Sequence, residues 1–348
     1  MNRAYNRFLI VRTDRIGDVL LTLPMARVIK RHFPQAHIAM LIRRYTSELV
    51  EENEYVDQIL YYDEAGGALT PLLQLISNLR EQRYDVVIHT QPRPRLALVT
   101  WVANIPVRIG TGYRWYSFFY NKKVYEHRKY ALKHELEYNL NLLSAIGCSY
   151  DGVEIQPTLA VNNDALETMR VLLKKKGVQK GERIVIIHPG SGGSARGWSY
   201  GRFGELAHRL GNISSVRVVI TGKKEEEELV NNVISTAGTK ALPLVEFGSV
   251  REFAALAKLS SLFISNSTGP IHLAAAVGTP VIGLYPQLTP QNATRWGPYT
   301  TNKTIFSPVN KPVNCKQCRA QRSRICECME SISVDGVFHA AKKYVGGE

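Results

Sequence analysis

Short apolar runs alternate with amphipathic stretches from one end of the chain to the other. In the first half the apolar runs predict strands at Phe8–Arg12, His37–Ile42, Gln58–Tyr62, Asp85–His89 and Val107–Ile109. Helical spacing predicts helices near Val19–His32, Ser47–Glu52, Thr70–Gln82, Arg95–Ala103 and His134–Ile146. Residues Cys148–Val161 carry no period and hold Gly152 and Pro157, which suits a linker. The rhythm then resumes. Strands are predicted at Arg183–His188, Val216–Thr221, Leu244–Phe247, Leu262–Ser265 and Val281–Tyr285. Helices are predicted near Asn163–Lys176, Arg202–Leu210, Lys224–Ala237, Val250–Leu259, Ile271–Val277 and Val334–Tyr344. Such alternation builds parallel sheets with helices on both faces. At 348 residues the chain exceeds the usual size of a single core. The expectation is an α/β protein of two Rossmann-like domains, 1–155 and 156–348, with strand ends lining a central cleft. The last helix is expected to pack back on the first domain.

Charge narrows the partners. Lys plus Arg number 44 against 30 Asp plus Glu, a net +14, which points to an anionic partner. Between Gln91 and Lys133 there are nine Lys or Arg residues and one acid, Glu126, interleaved with aromatics from Trp101 to Tyr130. That mixture suits an anionic, amphipathic partner such as a lipid headgroup region; a solvated basic face over ordinary core aromatics is the plainer alternative. No zinc-finger, RNA-recognition or KH signature supports nucleic acid. No apolar run reaches the roughly 18–20 residues of a membrane span, and Met1–Arg12 shows no secretion signal. A cytoplasmic protein is expected. Cys315, Cys318, Cys326 and Cys328 form C-x2-C-x7-C-x-C. Four thiolates could hold zinc, but the spacing departs from the usual knuckle, and the favoured reading is thiols in a surface loop with no metal or cofactor.

Three loops carry candidate chemistry. The first follows Phe8–Arg12 as Thr13-Asp14-Arg15-Ile16-Gly17-Asp18. Asp18 is placed either to cap a helix or to serve as general base toward an acceptor hydroxyl; Asp14 is its rival. Gly17 permits close approach, and Arg12 or Arg15 could hold phosphate. The second follows Arg183–His188 as Pro189-Gly190-Ser191-Gly192-Gly193-Ser194-Ala195-Arg196-Gly197-Trp198, which suits a pyrophosphate. Gly190–Ala195 also matches G-x-G-x-x-A, yet the next strand lacks the acid that would hold an NAD ribose. The third, Ser265-Asn266-Ser267-Thr268-Gly269-Pro270, leads from an apolar run into a helix start carrying His272.

The order of these loops resembles glycosyltransferase family 9, the ADP-heptose:lipopolysaccharide heptosyltransferases. The resemblance rests on LIVRTDRIGDVLLTLP, IIHPGSGGSARGWSYGRFGELAHRL, FISNSTGPIHLAAAVGTPVIGLYP and Arg295-Trp296-Gly297-Pro298. It implies a GT-B fold, with the donor held by the C-terminal domain and the acceptor by the N-terminal one. It also implies an inverting, metal-independent transfer of heptose from ADP-heptose. Asp18 matches the aspartate of the family's R-x-G-D loop and would be the base. Donor contacts would come from Arg12, Ser191, Arg196, Ser267, Thr268, Gly269 and His272, with Lys224 and Glu225 at the adenosine end. Arg15, Gly17, Arg93, Arg95, Arg114, Lys122 and Lys123 would meet the acceptor, an anionic Kdo-bearing lipid A core at the inner face of the inner membrane. One departure stands out: Ser267 occupies a position where many members of the family carry aspartate. The alternatives are a GT-B transferase using another nucleotide-sugar and a non-catalytic nucleotide or lipid-core binding protein.

Overall fold

A computed structural model describes residues 5–62, 70–193, 196–245, 247–309 and 327–346. The chain divides into two compact units, Met1–Arg128 with Lys133–Pro157, and Lys129–Leu132 with Thr158–Glu348.

The first unit holds strands β1 (Arg7–Val11), β2 (His37–Ile42), β3 (Gln58–Tyr61), β4 (Val86–His89), β5 (Val107–Thr111) and β6 (Lys122–Val124). Its helices are α1 (Ile16–Leu20), α2 (Pro24–His32), α3 (Thr70–Gln82), α4 (Pro94–Val102) and α5 (Glu135–Leu140). The strands form one parallel sheet in the order β3-β2-β1-β4-β5-β6. The central strands are continuous apolar runs because helices cover both faces of the sheet; Phe8, Leu9 and Ile10 on β1 and Val86, Val87 and Ile88 on β4 are fully buried.

The second unit repeats the plan. Strands β7 (Arg183–His188), β8 (Val216–Thr221), β9 (Ala241–Leu244), β10 (Leu262–Asn266), β11 (Val281–Leu284) and β12 (Lys303–Phe306) alternate with α6 (Asn163–Lys175), α7 (Tyr200–Gly211), α8 (Glu227–Ala237), α9 (Val250–Leu259) and α10 (Gly269–Ala276). The parallel sheet runs β12-β11-β10-β7-β8-β9. Counting from each unit's own first strand, both sheets read 3-2-1-4-5-6. In each, the winding reverses between the first and fourth strands: β1 beside β4, β7 beside β10. Loops leaving that pair diverge, and the crevice they leave is where open parallel sheets bind ligands.

Several elements differ from the sequence reading, for identifiable reasons. The predicted helix Val19–His32 is two helices, because Pro24 has no N–H and obstructs the carbonyl four residues back, so it begins α2 instead of continuing α1. Ser47–Glu52 gives way to a 3-10 helix at Arg44–Leu49. His134–Ile146 is α5, capped by His134, followed by a 3-10 stretch at Asn141–Ile146. The strand placed at Leu244–Phe247 lies earlier, as β9, with Ala241 paired to Val218 and Leu244 to Thr221. Its Pro243 is tolerated because β9 is an edge strand. The lysine-bearing edge strands β6 and β12 are too short and polar to read from the pattern. The last helix, expected to pack back on the first domain, contributes Val334, Val337, Ala341 and Val345 to the core of the second unit with Trp198, Phe203 and Leu210. Arg209 pairs with Asp335 on its outer side. Among the described residues no helix is long and apolar enough to cross a membrane.

Candidate active-site loops

At the C-terminal end of β1 the chain packs charge, not apolar surface. Arg12 is 2% exposed. Its Nε donates to Asp14 Oδ1 at 2.7 Å, one terminal nitrogen to Asp18 Oδ1, and the other to Glu135 Oε1 at 3.4 Å and Asn139 Oδ1 at 3.5 Å. Arg128 reaches the same Glu135 and Asn139 from the opposite side. Three carboxylates therefore share two guanidiniums in a buried setting. Burial works against the charge on Arg12, but Asp14, Asp18 and Glu135 outweigh it and raise its pKa. Burial and the neighbouring Asp18 push the Asp14 carboxyl up to about 6, against the opposing pull of Arg12.

The surrounding backbone fixes this cluster. Asp18 stands in the first turn of α1, where a carboxylate is favoured by the helix dipole. Arg15, not Asp18, occupies the N-cap, so the capping alternative does not hold. Thr22 Oγ1 donates to the Asp18 carbonyl at 2.8 Å and in turn accepts from Asn139 Nδ2 at 3.2 Å. Tyr45 donates its hydroxyl to the Asp14 carbonyl at 2.8 Å. Arg93, before α4, donates to the Thr13 carbonyl at 3.4 Å and so ties the loop after β4 to the loop after β1.

Arg12, expected at the donor phosphates, makes its hydrogen bonds to Asp14, Asp18, Glu135 and Asn139. Glu135, Asn139 and Arg128 escape the sequence reading because they lie more than a hundred residues from Asp18, and no local motif marks them. Of the proposed acceptor residues, the loop brings Arg15 and Gly17 beside Asp18, with Arg15 exposed and Gly17 buried. Arg93 and Arg95 are half-buried at the start of α4, Arg114 is exposed, and Lys122 and Lys123 are exposed on the edge strand β6.

In the second unit the loops after β7 and β10 are bonded to one another. Asn266 donates Nδ2 to the Pro189 carbonyl at 2.9 Å and accepts from Trp198 N at 3.0 Å. Gly197 lies so close that an added Cβ would sit 2.4 Å from Asn266 Nδ2. Ser191 and Arg196 are half-buried; Ser194 and Ala195 lie outside the described residues. Thr268 takes the N-cap position of α10 in extended conformation without a side-chain capping bond, and Gly269 and Pro270 open the helix. Ser267, Thr268 and His272 are buried around this helix start. The Ser267 hydroxyl hydrogen-bonds Tyr285, whose own hydroxyl donates to the Trp296 carbonyl at 2.9 Å.

The loop after β8 contributes a residue that the sequence reading passes over. Lys224 and Glu225 are exposed on a 3-10 turn, whereas Glu226 folds back. Its carboxylate accepts from Gly192 N at 3.3 Å and Lys223 N at 3.2 Å. An added Cβ on Gly190 would lie 2.4 Å from it. Only half of a capping box is present, because Lys223 has no acceptor to offer, so no local motif marks Glu226. Beneath it His188 is fully buried, its Nδ1 within 3.0 Å of Thr221 Oγ1, and burial pushes its pKa down to about 4. Cys315, Cys318 and Cys326 lie outside the described residues; Cys328 is half-buried against the second core.

Comparison with known proteins places this arrangement. The profile of "Glycosyltransferase family 9 (heptosyltransferase)" matches residues 72–326. Lipopolysaccharide heptosyltransferase 3 of Escherichia coli strain K12 is 27% identical over 310 residues, covering 83% of this chain and 84% of that protein. A family 9 glycosyltransferase structure from Veillonella parvula superposes with a TM-score of 0.84 at 21% identity, over 99% of this chain and 98% of that one. The E. coli heptosyltransferase WaaC with ADP-2-deoxy-2-fluoro heptose superposes with a TM-score of 0.70 at 20% identity, over 97% and 99%. These structural likenesses establish the GT-B fold. The chain belongs to glycosyltransferase family 9 and is a glycosyltransferase.

Proposed function

We propose that this enzyme transfers a heptose from ADP-heptose to the anionic inner core of lipopolysaccharide, working peripherally at the inner face of the inner membrane. The observation that carries the reading is the pair of winding reversals. One presents a half-buried, arginine-held carboxylate pair, Asp14 and Asp18; the other presents glycine- and hydroxyl-rich loops at a helix start. The first suits deprotonation of a hydroxyl, the second a pyrophosphate. The relative solved with an ADP-heptose analogue supports the donor class.

In this mechanism an acceptor hydroxyl attacks the anomeric carbon from the face opposite the leaving group, and configuration inverts. Asp18 takes the hydroxyl proton. The bond to the ADP oxygen breaks, and the charge gathering on the pyrophosphate meets Arg196 and the N–H groups at the start of α10, with no metal required. Arg12 holds Asp18 toward the hydroxyl. Glu226 lines the nucleotide end beside Gly190 and Gly192.

A second reading has one observation in its favour. The hydroxyl of Ser267 is engaged with Tyr285 where an aspartate is common in the family, so the sugar end of the donor meets a neutral group. A different nucleotide-sugar would suit that change. The test is acceptor-dependent ADP release with EDTA present. Release from ADP-heptose with Kdo-bearing lipid A supports the first reading; release only from another nucleotide-sugar selects the second. No release from either, in protein whose melting temperature rises with ADP, refutes both readings for this acceptor.

A further inference from the structure

At the end of the first sheet away from the Asp18 loop, an open groove of about 1000 Å³ lies between the ends of α3 and α4 and the entry to β5. Arg80, Arg83, Arg108 and Trp101 line it. Arg80 donates to the Val102 carbonyl at 2.9 Å, and Arg108 to the carbonyls of Phe119 at 2.8 Å and Ile105 at 2.6 Å. Among the described residues none of these three guanidiniums forms an ion pair. Asp85 is also in the lining, but its Oδ2 is occupied by the N–H groups of Asn6 and Arg7 at 2.8 and 2.9 Å.

The groove continues into an aromatic patch. Trp101 packs on Phe119 at 5.5 Å between ring centroids, and Phe119 on Phe118 at 4.3 Å. Leu98 lies one turn before Trp101 on the same face of α4. Trp101 is 50% exposed, Phe118 63% and Trp115 78%. Side chains of this size and exposure, next to arginines, match the interface of an anionic bilayer. There aromatic rings sit at headgroup depth and guanidiniums meet phosphates. A small soluble anion would use the arginines and leave the rings in water.

We infer that the outer flank of α4, with this groove, is where the first unit docks on an anionic phospholipid bilayer. The inference deepens the reading of a lipid-anchored acceptor and rests on it for its purpose. The distance is apt: α4 starts beside Arg93, which is bonded to the Asp14–Asp18 loop, and ends at the groove. Its nine residues span about 13 Å, so a bilayer seated on the patch lies one short helix from the proposed base.

Co-sedimentation with sucrose-loaded vesicles tests this. Native protein should pellet with phosphatidylethanolamine–phosphatidylglycerol vesicles, less so in high salt, and stay in solution with phosphatidylcholine vesicles. Arg80→Gln with Arg83→Gln should lower partitioning at least about tenfold, and Trp101→Ala with Phe118→Ala by a similar factor. Both should retain ADP binding and turnover on a deacylated acceptor. If native protein fails to pellet with the anionic vesicles, or both variants pellet like native, the inference is overturned. Should the aromatic pair lower the melting temperature, Arg83→Gln alone decides, since its exposed side chain supports no core. Vesicle binding without sugar transfer would sink the heptosyltransferase reading and leave the docking face standing; transfer to deacylated acceptor without vesicle binding would do the reverse.

Discussion

Arg12 serves three carboxylates with one planar guanidinium, each along a different N–H direction. A lysine there donates from a single nitrogen and cannot span the spacing of the three carboxylates as the rigid fork does. Arg12→Lys should lower kcat by about tenfold or more and lower the melting temperature, while ADP affinity stays native. A weakened ADP affinity would return Arg12 to the donor. Asp18→Asn should cut turnover by roughly 10²–10⁴ with ADP binding kept. Near-native turnover would hand the base role to Asp14. Titration gives a further test. His89 and His188 are buried and neutral, with burial pushing them down to about 3 and about 4. Their stabilising contribution is full above about pH 6.5 and is lost as pH falls toward 4, because the unfolded imidazoles bind protons first. Asp14 has the opposite sign: raised to about 6, its contribution is present below about pH 4 and lost as pH rises through 6. Melting curves from pH 7 to 4 should therefore flatten in His188→Gln and steepen in Asp14→Asn. At this scale the sequence showed Asp18 through its loop motif. It hid Glu135 and Asn139, which reach the site only after the sheet has brought α5 beside β1.

Elements were legible where burial imposes a period and illegible where it does not. The central strands of both sheets read correctly as uninterrupted apolar runs. The edges β6 and β12 did not, since an edge strand can be short and carry lysine. Turns toward the site are governed by close approach, and two glycines separate the consequences. Gly197 faces Asn266, a buried side chain held by two hydrogen bonds, so Gly197→Ala should cost about 1–3 kcal/mol and weaken ADP binding together with stability. Gly190 faces the carboxylate end of Glu226, which can swing aside. Gly190→Ala should therefore shift ADP affinity with little change in melting temperature. Isothermal calorimetry beside thermal melts distinguishes the two; equal stability losses would refute the contrast.

Over the whole molecule the alternation of strand and helix announced two parallel sheets, but not their strand order, which depends on pairings between segments far apart in sequence. That order fixes where the winding reverses, at β1 beside β4 and at β7 beside β10, and so where ligand crevices open. If the second unit holds the nucleotide, ADP alone should slow hydrogen exchange in residues 189–193 and 267–272 and leave the Asp18 loop at its unliganded rate. Protection centred on residues 12–18 would put the donor in the other unit.

The last helix has a practical bearing on this division of labour. Because Val334, Val337, Ala341 and Val345 complete the core of the second unit, that unit carries its own last helix. A junction between Pro157 and Thr158 then recombines this chain with a relative while the second interior keeps its last helix, with Lys129–Leu132 crossing over with the first half. On the proposed division of donor and acceptor between the units, swapping halves among relatives becomes a way of reading out which half carries which.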